Sequence, residues 1–469
     1  MNPEEFRREA HRLADWIADY FAGVEQYPVL AQVSPGQIKS QLPSRAPDKP
    51  EAFDAIVADF ERILLPGITH WNHPGFFAYF AITGSAPGVL AEFLSAALNV
   101  QAMLWRTSPA ATELEEVTLG WLRQLIGLPE AFEGVIYDTA SVSTLHALAA
   151  AREVAVSGVR TSGLAGRGDV SRLRVYCSDQ AHSSVDKAVI LLGLGHDSVR
   201  RVQSDNEFRL EPHALDAAIV EDRCEGWLPM GAVATVGTTS TTSIDPVREV
   251  VDVCKRHGIW VHVDAAYAGV AAMVPGYEWI LDGAADADSL VVNPHKWLFT
   301  PFDLSVLYCR RMDVIRQAFS LAPDYLKTVE AAPVRNLMDT GIQLGRRFRA
   351  LKLWMVLRHF GADAIRSRLA GHMRLAQLFA RWVDASDTFV RVAPVPFSVV
   401  CFRANAGDDV NQRLLDTVNA SGKVFLSHTR LNGQFVLRLA IGHLDTTEEH
   451  VASAWELLQR AAVPLLHGS

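Results

Sequence analysis

An α/β fold is predicted: a mostly parallel sheet covered by helices on both faces, followed by a smaller α+β region. Three observations lead there. From Pro87 onward short apolar runs recur, at Val135–Tyr137, Arg174–Cys177, Ala232–Val236, Trp260–Val263, Ser289–Val292 and Ser305–Cys309. They are continuous rather than alternating, as strands buried on both faces are. Helical stretches lie among them (Gly88–Asn99, Thr112–Leu125, Thr144–Val156), and alternating strand and helix builds a parallel sheet. After Gly361 the texture changes to one helix and then a cluster of strand-like segments.

Phe6–Glu25 is expected to be an amphipathic helix, with Leu13, Ile17, Tyr20 and Phe21 at i, i+4, i+7, i+8. A proline-rich passage (Pro28, Pro35, Pro43, Pro47, Pro50) precedes a second helix near Ala52–Leu64. Such a pair buries little core by itself. Residues 1–85 must therefore pack on something else, either their own chain or a second subunit. Residues 86–361 carry the sheet. Within them Gly163–Gly168 reads as a flexible surface loop, lacking the strand-to-helix setting of a phosphate loop. Arg346–Phe360 reads as one helix, its basic residues a solvated face. Residues 362–469 form the separate α+β domain: a helix Ala362–Ser386, strands Phe389–Ala393, Phe397–Phe402, Lys423–Ser427 and Gln434–Ala440, and a closing helix Thr447–Ala462.

The chain has 469 residues, 49% hydrophobic and 21% charged, which excludes wholesale disorder. Its net charge of −9 repels phosphate backbones and anionic lipid, arguing against nucleic acid or a membrane as partner. Five cysteines without a CxxC pair argue against a disulfide scaffold or a metal centre and fit a reducing, cytoplasmic compartment. No apolar run follows the charged start MNPEEFRREAHRL, so no signal peptide is expected. The uncharged stretch Ile63–Ala91 holds three prolines and two histidines, a poor membrane span.

Three segments carry chemistry. In Trp260–Gly269 (WVHVDAAYAG) an apolar strand ends in Asp264, a costly carboxylate unless it meets a cation or donors, although capping the next turn is an equally ordinary role. In Ser289–Trp297 (SLVVNPHKW) Lys296 follows a strand and a proline turn. A lysine there can have its amine pKa lowered and become a nucleophile toward carbonyls. In Tyr137–Leu145 (YDTASVSTL) small hydroxyl residues open a helix, where free N–H groups attract an anion. Together these are the partners that pyridoxal 5′-phosphate (PLP) needs: a Schiff-base lysine, an acid that keeps the pyridine nitrogen protonated, and a phosphate-binding helix start.

With these residues the chain resembles the group II PLP-dependent decarboxylases, especially the aromatic L-amino acid decarboxylases. The likeness runs through Thr69–Phe80 (THWNHPGFFAYF), Ser108–Glu115 (SPAATELE), Asp179–Lys187 (DQAHSSVDK), Gly237–Asp245 (GTTSTTSID), Asn293–Trp297, Leu344–Trp354 (LGRRFRALKLW) and Val436–His443. It implies a fold type I, aminotransferase-like large domain, a cytoplasmic homodimer with the N-terminal helices laid over the partner, and a PLP-dependent carboxy-lyase.

Position by position, the resemblance implies Lys296 as the cofactor's lysine and Asp264 as the pyridine-nitrogen partner. Ala266 would pack on one ring face and His182 on the other. Thr139, Ala140, Ser141, Asn293 and His295 would hold the phosphate, with Thr239 and Gly345 near the cofactor and substrate. Tyr325, in a loop expected to close over the site, falls where the decarboxylases carry a catalytic tyrosine and related aldehyde synthases tend to carry phenylalanine. With His182 it favours simple decarboxylation through an external aldimine and a quinonoid. Trp71, Tyr79, Phe80, Met103, Leu104 and Trp105 are candidates for an apolar substrate pocket. The expected substrates are L-tryptophan, L-phenylalanine, L-tyrosine or their hydroxylated forms. An aldehyde synthase and a decarboxylase of another amino acid are the alternatives. Val334–Gly341 (VRNLMDTG) departs from relatives that carry an aromatic pair there, which bears on specificity.

Overall fold

The computed structural model describes residues 1–321 and 334–467. In chain order its strands are β1 (Phe76–Phe77), β2 (Glu133–Tyr137), β3 (Leu173–Ser178), β4 (Val199–Val202), β5 (Leu228–Thr235), β6 (Trp260–Asp264), β7 (Ser289–Val292) and β8 (Ser305–Cys309). Four more follow: β9 (Phe389–Arg391), β10 (Val399–Ala404), β11 (Phe425–Leu431) and β12 (Gln434–Ala440).

Strands β2 to β8 form one sheet in the order β2-β8-β7-β6-β5-β3-β4. The pairs β4/β3, β3/β5, β5/β6 and β6/β7 are parallel, and only β8 runs antiparallel to its neighbours β7 and β2. This is the mostly parallel sheet expected from the apolar runs, and β3, β6, β7 and β8 are buried throughout. Strand β4 escapes the sequence reading for a physical reason. It is an edge strand reading Val-Arg-Arg-Val, and charged side chains on an edge discourage further pairing while hiding the hydrophobic signal.

The helix Ala140–Ala155 is buried along most of its length, and its run Ala147–Ala151 holds no side chain larger than leucine, which lets it approach the sheet closely. Its neighbour Pro109–Leu125 opens with Ser108, whose side chain caps the Ala111 amide. The expected helix Arg346–Phe360 begins only at Ala350, because Arg346 points inward to an acid instead of outward to water. Gly361 then interrupts the helix Ala350–Asp384 with a positive φ of 70°, a conformation that suits glycine.

Packing divides the chain into two compact units, one of Met1–Ala81, Leu375–Val392 and Val400–Ser469, the other of Ile82–Arg374 and Ala393–Val399. Residues 1–81 thus group with C-terminal chain. In that unit β1 adds a parallel edge to β11, and the sheet runs β1-β11-β12-β10-β9. The first helix, Pro3–Gly23, starts at a capping box in which Asn2 and Glu5 exchange side chain-to-backbone hydrogen bonds. Tyr20, near its end, shares a 2.9 Å hydrogen bond with His70. Among the described residues no helix is long and apolar enough to cross a membrane.

Candidate active site

Parallel register brings the ends of three strands into a row: Thr235 of β5 stands beside Asp264 of β6, and Asp264 beside Val291 of β7. Loops leaving such an edge are where open α/β sheets place ligands. The β6 and β7 loops are joined by their backbones, the Asn293 amide donating to the Ala266 carbonyl at 3.0 Å. Lys296 then follows in the short helix Pro294–Trp297. Its amide donates to the Asn293 carbonyl at 2.9 Å.

Asp264 is 6% exposed, and its Oδ1 accepts the Ala266 amide at 3.1 Å. Burial lowers the Lys296 amine pKa below its ordinary value, and the attraction of Asp264 opposes that shift. His182 lies in the same field. Burial in the surrounding protein lowers its imidazole pKa; Asp264 pulls the other way and Lys296 adds to the lowering. Its Nδ1 accepts the Ser184 amide at 3.1 Å, which orients the ring. An acid, an amine and an imidazole found far apart in sequence therefore act on one another at the ends of β3, β6 and β7.

Thr139 leads from β2 into the helix Ala140–Ala155 in an extended conformation, and its carbonyl accepts the amides of Val142 and Ser143. Ala140 and Ser141 are the first two residues of the helix, and amides at those positions have no acceptor within it. His295 is buried, its Nδ1 accepting the Leu304 amide at 2.9 Å. Burial, then the nearby Lys296, pushes its pKa down to about 3, so the ring is neutral. Thr239 is exposed on the loop after β5 and Ala266 is buried two residues after Asp264.

The substrate candidates divide. Trp71, Tyr79 and Phe80 belong to the unit that holds the chain's first 81 residues, where Trp71 stacks on Phe76 at 4.4 Å and on Tyr79 at 5.9 Å, and Arg438 lies over Phe80. Met103 and Leu104 cluster with Met338 in the unit of the large sheet. Trp105 donates its indole N–H to Glu113 at 2.8 Å and lines a cavity of about 950 Å³ together with Glu116, Arg316 and Arg335, a charged rather than apolar setting. Gly345 is exposed, and a Cβ there would lie 3.1 Å from Gln101 Nε2. Tyr325 lies outside the described residues.

Two features passed unnoticed in the sequence. His262 lies two residues before Asp264 on the same side of β6, fully buried, with Nδ1 2.9 Å from Ser289 Oγ and Nε2 3.5 Å from Thr144 Oγ1. The period-2 rule for strands would have placed it next to the acid, but it reads as one more residue of an apolar run. Glu115 and Arg346 form a buried bidentate pair with N–O distances of 2.9 and 3.3 Å, and Glu115 also accepts the Ile136 amide. Nothing local in the sequence joins residues so far apart.

A molecule with an aldehyde, a basic ring nitrogen and a phosphate finds chemistry for each part here. One observation tests that fit directly. The side-chain Oδ1 of Asn293, 2% exposed and directly before Pro294, has no hydrogen-bond partner among the described residues, and buried polar atoms are ordinarily satisfied. The donor set therefore fits PLP.

Comparison with known proteins agrees. The pyridoxal-dependent decarboxylase conserved domain matches residues 35–405. The chain is 42% identical to phenylacetaldehyde synthase of Arabidopsis thaliana, over 100% of this chain and 98% of that protein. It is 39% identical to tyrosine decarboxylase of Papaver somniferum, over 98% and 94%. A crystal structure of Oryza sativa TDC with PLP and tryptamine is 37% identical, covers 100% of this chain and 99% of that one, and superposes with a TM-score of 0.95.

Proposed function

The chain belongs to the pyridoxal-dependent decarboxylase family, and from that membership we propose that it converts aromatic L-amino acids to the aryl-ethylamine and CO2. It is a PLP-dependent carboxy-lyase. The observation that carries the reading is the electrostatic meeting of Lys296 and Asp264 at adjacent strand ends.

In this reading Lys296 would hold the cofactor covalently, and Asp264 would keep its ring nitrogen protonated, since a close opposite charge favours the charged form. Ala266 and His182 would cover the ring. Thr139, Ala140, Ser141, Asn293 and His295 would take the phosphate, with Thr239 and Gly345 beside the bound groups. When bound, PLP supplies the sink for the electrons that the departing carboxylate leaves at Cα. Tyr325, with His182, then delivers the proton to Cα. Trp71, Tyr79, Phe80, Met103, Leu104 and Trp105 are the side chains assigned to the substrate. Lys296 is suited to release and recapture because its lowered pKa makes the neutral amine easier to reach.

The wider assignments rest on separate supports. Residues 1–85 are read as a dimerisation segment, 86–361 as the PLP-binding domain and 362–469 as the small domain. A homodimer is supported by the helix Ala86–Leu98, whose Leu90, Phe93, Leu94 and Leu98 form one exposed apolar face. A cytoplasmic location is supported by five free cysteines.

The test is detection of CO2 and amine from each common amino acid with added PLP. Tryptophan, tyrosine or phenylalanine should be turned over first; preference for glutamate would overturn the aromatic reading. A second reading has its own support in the phenylacetaldehyde synthase relative. It predicts aldehyde, ammonia and hydrogen peroxide with consumption of oxygen, so the ratio of amine to aldehyde decides between them.

A further inference from the structure

A cavity of about 550 Å³, distinct from the one beside Trp105, lies wholly within the unit made of Met1–Ala81, Leu375–Val392 and Val400–Ser469. That size is ordinary for a small-molecule site. Lys296 and Asp264 belong to the other unit, and the chemistry above uses no residue of this cavity. Backbone hydrogen bonds fix its walls. The Val29 amide donates to the Gly422 carbonyl at 2.8 Å, the His70 amide to the Val29 carbonyl at 2.9 Å, and the Phe425 amide to the Gly75 carbonyl at 3.1 Å. Gly75 has to be small, since a Cβ there would lie 2.6 Å from the Lys423 carbonyl oxygen. The closing helix, Glu448–His467, joins these walls through His450. Its Nδ1 accepts the Thr447 amide at 3.0 Å, so its Nε2–H donates to Glu25, at 3.3 Å.

Inside the cavity a donor is left over. His73 is 5% exposed, and its Nδ1 accepts the Gly75 amide at 2.8 Å, so the proton sits on Nε2. Burial lowers its pKa to about 4; Glu25 opposes that shift, while His443, His450 and His70 add to it, and the ring is neutral at pH 7. His73 lines the cavity, and its Nε2–H has no acceptor among the described residues, although buried donors are ordinarily satisfied.

Charges of both signs surround this donor. Lys423 is exposed and has no ion pair among the described residues. Arg460 and Glu456 meet only at 3.9 Å, and Glu25 gives one carboxylate oxygen to His450 and keeps the other. A simple anion would face Glu25 and Glu456, and a simple cation would face Lys423 and Arg460. A molecule that carries both charges suits the place better than either. Tyr27 and Leu457, half-buried in the same lining, offer apolar surface for a side chain.

We propose that this cavity binds a free α-amino acid with an apolar side chain, its carboxylate on His73 Nε2–H and Lys423 and its ammonium on Glu25. The site shares no residue with the one at Lys296 and holds whatever reaction occurs there.

Calorimetric titration of the holoenzyme with L-leucine tests it, beside isocaproate, which lacks the amine, and isoamylamine, which lacks the carboxylate. L-leucine should bind without altering cofactor absorbance, which an amino acid reacting at Lys296 would shift. Each control should bind at least about 10-fold more weakly, as the loss of a hydrogen bond to a charged group demands. His73→Asn keeps an acceptor for the Gly75 amide and withdraws the Nε2–H, while Lys423→Met and Glu25→Gln each remove one exposed charge. Each variant should raise the Kd for L-leucine roughly 10-fold. The last two should leave the melting temperature unchanged, so their effect stands even if His73→Asn unfolds. No binding heat at millimolar L-leucine overturns the proposal. So does equal affinity for either control, a Kd indifferent to the variants, or an absorbance that changes in step with binding.

Discussion

Lys296 can attack a carbonyl only while its amine is unprotonated, and burial beside β6 lowers its pKa against the pull of Asp264. Replacing it with alanine removes the amine assigned to the cofactor. The Lys296→Ala protein should lack the visible absorbance of lysine-bound PLP and turn over no amino acid; a yellow holoenzyme would refute the assignment. The buried histidines make a second residue-scale prediction. His262 and His146 have their pKa values lowered from 6.5 to about 4, chiefly by burial, so both are neutral in the folded chain at pH 7. The unfolded chain takes up their protons first on acidification. Their contribution to stability is whole above about pH 6.5 and falls as the pH drops toward 4. Urea midpoints measured between pH 7.5 and 5 should decline, and His262→Gln should flatten part of that slope. An unaltered slope would show that His262 is not held neutral.

At the scale of elements, the Glu115–Arg346 pair explains why two distant segments are fixed to each other. Glu115 lies in the helix Pro109–Leu125 and Arg346 stands just ahead of the helix Ala350–Asp384. Both side chains are about 95% buried or more, and Arg346 also donates to the Ile136 carbonyl of β2. Removing one partner strands a charge in the interior. Arg346→Met should therefore cost about 3–5 kcal/mol, read as a lower urea midpoint, and adding Glu115→Leu should recover part of it because no lone charge remains. An equal loss in the single and double variants would mean that packing, not the buried charge, dominates. Sequence motifs marked both segments as distinctive, at Ser108–Glu115 and Leu344–Trp354, yet gave no sign that the two meet.

For the whole molecule, the exposed apolar face of the helix Ala86–Leu98 is the feature with the clearest consequence. If a second copy covers it, Leu94→Glu should shift sedimentation from dimer to monomer at micromolar concentration while the far-UV spectrum stays unchanged. A wild-type chain that sediments as a monomer would sink the dimer reading. The fold class was legible because strands buried on both faces leave continuous apolar runs, and five of the sheet's strands lie within a residue or two of those runs; β5, Leu228–Thr235, begins four residues before its run, Ala232–Val236. Edge strand β4 was not legible, since Val199–Val202 carries two arginines in four residues. Asp264 and Lys296 stood out because one closes an apolar strand and the other follows an apolar strand across a proline turn, positions that sequence order alone defines. What the chain could not state locally is which strand ends become neighbours. The order β2-β8-β7-β6-β5-β3-β4, which sets Asp264 between Thr235 and Val291, arises from packing helices on both faces. The same holds for His146, an unremarkable helix residue until Phe319 and Ile342 close upon it. Local periodicity and strand-end chemistry are written in consecutive residues, whereas burial, pKa and mutual distance depend on groups that only the folded chain brings together.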